Sequence, residues 1–272
     1  MKLTEINIRD PFVLLHNDKY YMYGSRVGEQ RGFDVYISDD LENWSEPKIV
    51  FEAYDGFWGT TNFWAPEVHM YKGRFYMLAS FKADDMCRGT GILVSDAPDG
   101  KFTVHSERIT PPQWECLDGT LYIENDVPYM VFCREWLQVN NGEIYAVKLS
   151  EDLSKTDGEP FLLWRAGDAS WVSPLDNEGT KFVTDGPFLY KTKDGKLKSL
   201  WSSFSNNEYV LATSTSENGS ITGKWRVDEK LLYERDGGHG MIFRTKEGIN
   251  MVAIHAPNTS FDERPRFLEF TE

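Results

Sequence analysis

Cysteine, positive charge and unbroken apolar sequence are all scarce in this 272-residue chain. Cys87, Cys116 and Cys133 are odd in number and lack CxxC spacing, which argues against a disulfide framework or a zinc site. Reduced thiols suit the cytosol, and the opening "MKLTEINIRD" has no apolar signal core. A cytoplasmic location is therefore the expectation. No stretch approaches the roughly 18 apolar residues of a membrane span. Lys and Arg number 29 against 43 Asp and Glu, a formal net charge of −14. Such a field repels phosphate backbones and anionic surfaces, so neither nucleic acid nor membrane is an expected partner. Phosphate-cradling GxGxxG and GxxxxGK[ST] loops, the GxSxG elbow and the DxDxDG calcium loop are all missing. Oligomeric state is not legible.

Aromatic residues, by contrast, are plentiful at 14%, with nine Trp and thirteen Tyr. They suit an all-β core or a site that stacks on flat ligands. The stretch "IRDPFVLLHNDKYYMYGS" reads as two alternating strands around an "ND" turn, headed by an acid. "WAPEVHMYKGRFYMLAS", "LDGTLYIENDVPYMVF", "TDGPFLYKTKDGKLKSLWSS" and "GHGMIFRTKEGINMVAI" repeat the layout. The heads Asp10, Glu67, Asp118, Asp185 and His239 fall 57, 51, 67 and 54 residues apart. Third and fourth strands follow, such as "FDVYISDD" and "WSEPKIVFE", and no long 3.6-residue apolar period occurs. Units of this length and strand content predict an all-β, five-bladed β-propeller with about four antiparallel strands per blade. Residues 1–272 read as one domain, because no linker divides them. The fifth unit ends early in "RPRFLEFTE", one strand short, and we expect "KLTEINI" or a neighbouring loop to cover its open edge.

A propeller gathers the first strand of every blade around one channel. The five heads are therefore expected to form a ring of four carboxylates and one histidine. Like charges so crowded repel and raise some pKa values, although Asp before Gly also makes plain turns. One protonated and one ionised carboxyl on opposite sides of a sugar can hydrolyse a glycosidic bond. A third acid can keep the donor protonated.

The motifs "RDPFV", "FWAPEVH", "LDGTLY", "TDGPFLY" and "GGHGMIF", in this order, resemble glycoside hydrolase family 43 over nearly the whole chain. That family comprises inverting β-xylosidases, α-L-arabinofuranosidases and arabinanases on five-bladed propellers. The resemblance implies Asp10 as general base, Asp118 as the acid that tunes the donor, and Asp185 as general acid. It implies His239 beside a metal, Ca²⁺ on the propeller axis, or a water cluster. Glu67 matches a pocket-lining position that usually holds Asp. The family's acid is usually Glu in an "EGP" setting, so Asp185 is one methylene short, and Glu115 and Glu135 are fallback acids. Trp64, Trp114, Trp136 and Trp201 are candidate sugar platforms, with Trp64, Trp114 and Trp136 preferred. Arg9 and Arg134 can pair with the ring carboxylates. His255 reads as a satisfied structural residue. The expected activity is an exo-acting, inverting glycosidase releasing xylose or arabinose from plant-type oligosaccharides. A glycoside phosphorylase and a carbohydrate-binding propeller without catalysis are the alternatives.

Overall fold

The computed structural model describes residues 1–28 and 30–271. Five antiparallel sheets follow one another along the chain. Blade one comprises β1 (Ile8–His16), β2 (Lys19–Arg26), β3 (Gly32–Ser38) and β4 (Lys48–Glu52). Blade two comprises β5 (Thr61–Tyr71), β6 (Arg74–Ala83), β7 (Met86–Ser95) and β8 (Thr103–Arg108). Blade three holds β9 (Cys116–Glu124), β10 (Val127–Arg134), β11 (Glu143–Lys148) and β12 (Phe161–Arg165). Blade four holds β13 (Asp185–Lys191), β14 (Leu197–Ser205), β15 (Glu208–Ser216) and β16 (Trp225–Tyr233). Blade five has only β17 (Gly238–Arg244), β18 (Asn250–His255) and β19 (Pro265–Glu269). The five-bladed propeller expected from the hairpin spacing is the observed fold, and the fifth blade is the short one. Glu272, which ends the "RPRFLEFTE" stretch, lies outside the described residues.

The N-terminal segment lies against β19 as a 3₁₀ turn, Leu3–Glu5, and not as a fourth strand. Arg264 Nε donates to the Thr4 carbonyl at 3.2 Å, and Asn7 Nδ2 donates to the Phe261 carbonyl at 2.6 Å. No ladder is formed there. Side chains complete the seam between blades five and one: Arg9 pairs with Glu263 at 2.9 Å, and Tyr20, Phe243, Phe267 and Trp44 pack edge-on or tilted in series.

Bulky residues fill the spaces between blades, as alternating strands with two buried faces require. Phe33, Phe51, Phe63 and Phe81 pack between blades one and two. Trp164, Trp201 and Trp225 do so between blades three and four. Trp201 is fully buried there, against Trp164 and Trp171, and is no sugar platform.

Every first strand breaks its ladder at the same point. A residue there adopts a left-handed backbone: Asp10 (φ 53), Ala65 (φ 45), Asp118 (φ 56), Gly186 (φ 51) and His239 (φ 51), and β5 has a second such break at Asn62 (φ 52). The register shifts at each of them. Such bulges re-aim side chains next to functional sites. This ring corrects the expected alignment in two places. Glu67 lies two residues past its blade's bulge, which falls at Ala65, and Asp185 lies one residue before its own, at Gly186. The left-handed residue fixes the equivalence. An alanine in that role carries no sequence flag, since Asn, Asp, His and Gly are the usual occupants.

Candidate active site

The residue paired across from each bulge, on the second strand, is Ser25, Ser80, Cys133, Ser202 or His255. Four of these side chains accept the backbone N–H of the next blade's bulge residue. Ser25 Oγ takes Ala65 N–H at 2.7 Å, Ser80 Oγ takes Asp118 N–H at 2.9 Å, and Ser202 Oγ takes His239 N–H at 2.8 Å. His255 Nδ1 takes Asp10 N–H at 3.2 Å. The thiol of Cys133 is a weak acceptor. At that boundary Gly186 N–H donates instead to Asp118 Oδ2 at 3.0 Å. Asp118 is thereby drawn across to the strand that carries Asp185.

These bulges surround a cavity of about 710 Å³, within the roughly 300–1,000 Å³ of small-molecule sites. Asp10, Asp118, Asp185 and His239 all line it, as the sequence reading expected. Asp10 is the most heavily supported. Ser25 Oγ donates to Asp10 Oδ2 at 2.5 Å, and His239 Nδ1 stands 3.1 Å from Asp10 Oδ1. Burial opposes ionisation of Asp10. His239, Arg9 and His255 outweigh it and hold the carboxyl well below its usual range. Burial likewise works against a charged His239, but Asp10 and then Asp118 lift it to about 10. Asp118 Oδ2 is 3.8 Å from His239 Nδ1.

Asp118 and Asp185 move the other way. Burial is the main cause for both and His239 opposes it; for Asp118 the neighbouring Asp185 and Asp10 add to the rise, and for Asp185 Asp10 does. One ionised carboxylate thus faces a pair that retains a proton. The opposite shifts are the pattern from which acid and base roles are assigned.

His255 is fully buried and uses both ring nitrogens. With Nδ1 accepting from Asp10, the proton sits on Nε2, 3.1 Å from Asn258 Oδ1. The same oxygen accepts from Arg9 at 2.8 Å. Burial pushes His255 down to about 4, so it is neutral. The expected structural histidine is therefore also the group that fixes the backbone of Asp10.

The remaining candidates divide. Arg9, Trp64, Glu135 and Trp136 line the cavity. The Arg88 guanidinium lies 4.4 Å from the Trp64 ring centroid, donates to Asn62 Oδ1, and forms a short ion pair with Glu135. Trp136 opens a single helical turn, Trp136–Val139, just after β10.

Four expected substrate contacts do not line the cavity. Glu67 is buried away from the cavity lining and pairs with His69 at 2.9 Å. Glu115 is held by Lys82 at 2.8 Å and by Arg88 N–H at 2.7 Å. Arg134 lies over the Trp114 ring at 4.2 Å and reaches Glu143 at 3.5 Å, so Trp114 and Arg134 satisfy each other.

Sequence reasoning missed Tyr209, whose hydroxyl donates to Asp185 Oδ2 at 3.1 Å, and Phe261, 67% exposed at the cavity mouth. Neither heads a hairpin, so the repeat gave no signal for them. His239 is the residue beside which the resemblance places calcium. Its Nδ1 faces two carboxylates. Among the described residues no group of three His, Cys, Asp or Glu could hold a metal. No step below passes through one.

The sequence signature described as "Glycosyl hydrolases family 43" matches residues 4–268. A crystal structure of an endo-arabinase from Bacteroides thetaiotaomicron VPI-5482 is 40% identical, with a TM-score of 0.94, covering 100% of this chain and 97% of that one. An endo-1,4-beta-xylanase structure from the same organism is 27% identical, with a TM-score of 0.78, over 98% of this chain and 91% of that one. Xylosidase/arabinosidase 43A of Humicola insolens is 23% identical over 71% of this chain and 58% of its own length. The chain spans about half the length of the curated relatives it matches. A carboxylate-lined propeller cavity inside a signature that covers almost every residue has one family home: this chain belongs to the glycosyl hydrolases family 43.

Proposed function

We propose that the protein hydrolyses α-L-arabinofuranosyl linkages in arabinan-type oligo- and polysaccharides with inversion at the anomeric carbon. The observation that carries the reading is the split ionisation around one cavity: Asp10 held charged, Asp118 and Asp185 biased toward a shared proton. In this reading Asp10 takes a proton from a water molecule as its oxygen bonds to the anomeric carbon. The bond to the leaving oxygen breaks, and that oxygen takes the proton of Asp185. Asp118 keeps the donor protonated and, through Gly186 N–H, aligned. Trp64, Trp136 and Phe261, from three different parts of the cavity wall, supply apolar faces for successive sugar rings. That spread suits a chain better than a single terminal sugar and departs from the exo-acting expectation. Arabinan is favoured over xylan by the name of the 40%-identical relative. Among the arginines that line the cavity, Arg9 is committed to Glu263 and Asn258 and Arg26 to Asp34, which leaves a phosphorylase chiefly Arg31; Arg134 does not line the cavity.

The test incubates the protein with linear arabinan, xylo-oligosaccharides and nitrophenyl pentosides, without phosphate, and follows the released anomer by proton NMR. Arabinan cleavage with first appearance of the inverted anomer, abolished by Asp10→Ala, is expected. Retention of configuration, or a preference for xylan, would overturn the proposal.

A further inference from the structure

Tyr209 is a buried titratable group beside Asp185 that the mechanism leaves unused. It is the second residue of β15, the third strand of blade four, and is 1% exposed. Its ring stacks on His255, with centroids 5.5 Å apart and planes 18° from parallel. Phe204 packs on it at 5.3 Å. Its hydroxyl donates to Asp185 Oδ2 at 3.1 Å. A phenol locked between two rings has little freedom to point elsewhere.

We propose that Tyr209 is a positioning residue that dictates which oxygen of Asp185 carries the proton delivered to the leaving group. The argument is one of hydrogen-bond inventory. A carboxylic acid has one O–H, and its other oxygen only accepts. With Tyr209 donating to Oδ2, the acid is most stable with that oxygen as its carbonyl, a stronger acceptor than its hydroxyl, and with the proton on Oδ1. Without Tyr209 the side chain can present either oxygen and either proton position. The constraint matters more for an aspartate than for a longer acid. A donor must come within about 2.6–3.2 Å of the oxygen it protonates, and a short side chain has fewer rotamers with which to find it. Tyr209 therefore gives geometric definition to the acid that departs from the family's usual glutamate. The charged or titratable groups facing Asp185 are Arg9 and Asp10 from β1, Asp118 from β9, Cys133 from β10, Glu135 after β10, Tyr209 from β15 and His239 from β17.

The inference rests on Asp185 as the general acid, so the experiment includes Asp185→Ala. Tyr209→Phe is assayed on an unactivated arabino-oligosaccharide and on a nitrophenyl arabinofuranoside, whose leaving group needs little protonation. We expect kcat on the oligosaccharide to fall 10- to 100-fold with KM little changed, and the aryl substrate to lose at least tenfold less. In the Asp185→Ala background the same change should add nothing. Equal loss on both substrates, or a loss in KM alone, overturns the role of Tyr209. Full oligosaccharide activity in Asp185→Ala overturns the acid assignment itself. Should Tyr209→Phe fail to fold, 3-fluorotyrosine at 209 keeps the shape and strengthens the donor. A stronger donor favours the ionised carboxylate, so the alkaline limb of kcat/KM should move to lower pH; an unmoved limb overturns the proposal.

Discussion

Alanine at position 186 would have to accept a φ of +51° and seat its Cβ 2.7 Å from Cδ2 and 2.8 Å from Cγ of His239. The left-handed backbone costs a non-glycine residue about 1–2 kcal/mol. Forcing a methyl group into the packed ring adds about 1–3 kcal/mol, because His239 is itself tied to Asp10 and by its N–H to Ser202. Gly186→Ala should therefore lose about 2–5 kcal/mol of stability. Gly195→Ala is the internal control: φ is +84° and an added Cβ meets nothing within 4 Å. It should lose only the backbone share, about 1–2 kcal/mol. Urea unfolding midpoints of the two variants read the difference directly. Turnover separates them too. Displacing His239 weakens the support of Asp10, so Gly186→Ala should lose activity at least about tenfold, and Gly195→Ala none. Equal destabilisation by both substitutions would refute the packing argument and reduce the position to a backbone requirement.

The pH dependence of stability has a definite sign. His239 is raised to about 10 from 6.5, so its contribution is fully present below pH 6.5 and is lost as pH climbs towards 10. Asp10 is lowered, so its contribution is present above about pH 4 and fades as the solution becomes more acid. The raised carboxyls of Asp118 and Asp185 cost stability as pH climbs above their ordinary value near 3.8, for Asp118 up to about 8. Melting temperature should fall from pH 6.5 to 10 in the wild type, and the part of the fall above pH 8 should flatten in His239→Gln. Arg88→Ala leaves Glu135 buried without its counter-charge, both side chains being only 7% exposed. A loss of about 3–5 kcal/mol is expected by denaturant titration, and much less for Arg88→Met with Glu135→Leu. Trp136→Ala should raise KM for arabino-oligosaccharide roughly 3- to 10-fold. Glu67→Gln, outside the cavity, should leave KM within about twofold; the reverse ranking would restore the sequence-based assignment.

The hairpin repeat made the blades legible, because period-two alternation and turn residues act locally. It also exposed Asp10, Asp118, Asp185 and His239, because strand starts converge wherever blades form a ring. Local pattern could not give the bulge. Ala65 takes a left-handed backbone that its sequence does not advertise, and the alignment of Glu67 with Asp10 failed for that reason. Nor could it give contacts made from second and third strands, such as Ser25 on Asp10 or Tyr209 on Asp185. Those depend on the register and twist of strands within one blade, Ser25 with Asp10 in blade one and Tyr209 with Asp185 in blade four. The tryptophans show the same limit. Trp64 and Trp136 reach the cavity, Trp201 fills the space between blades, and Trp114 lies beneath an arginine; side-chain type alone does not separate these outcomes.

The seam between the first and last blades carries a consequence for how this enzyme fails. No shared strand rivets the ring shut there; Arg9 with Glu263 and Asn258, and His255 with Asp10, are the latch. The general base proposed above is thus fastened to the joint where the first and last blades of the chain meet. Any change that parts those two blades would carry Asp10 away from its partners, so the chemistry depends on the ring being closed.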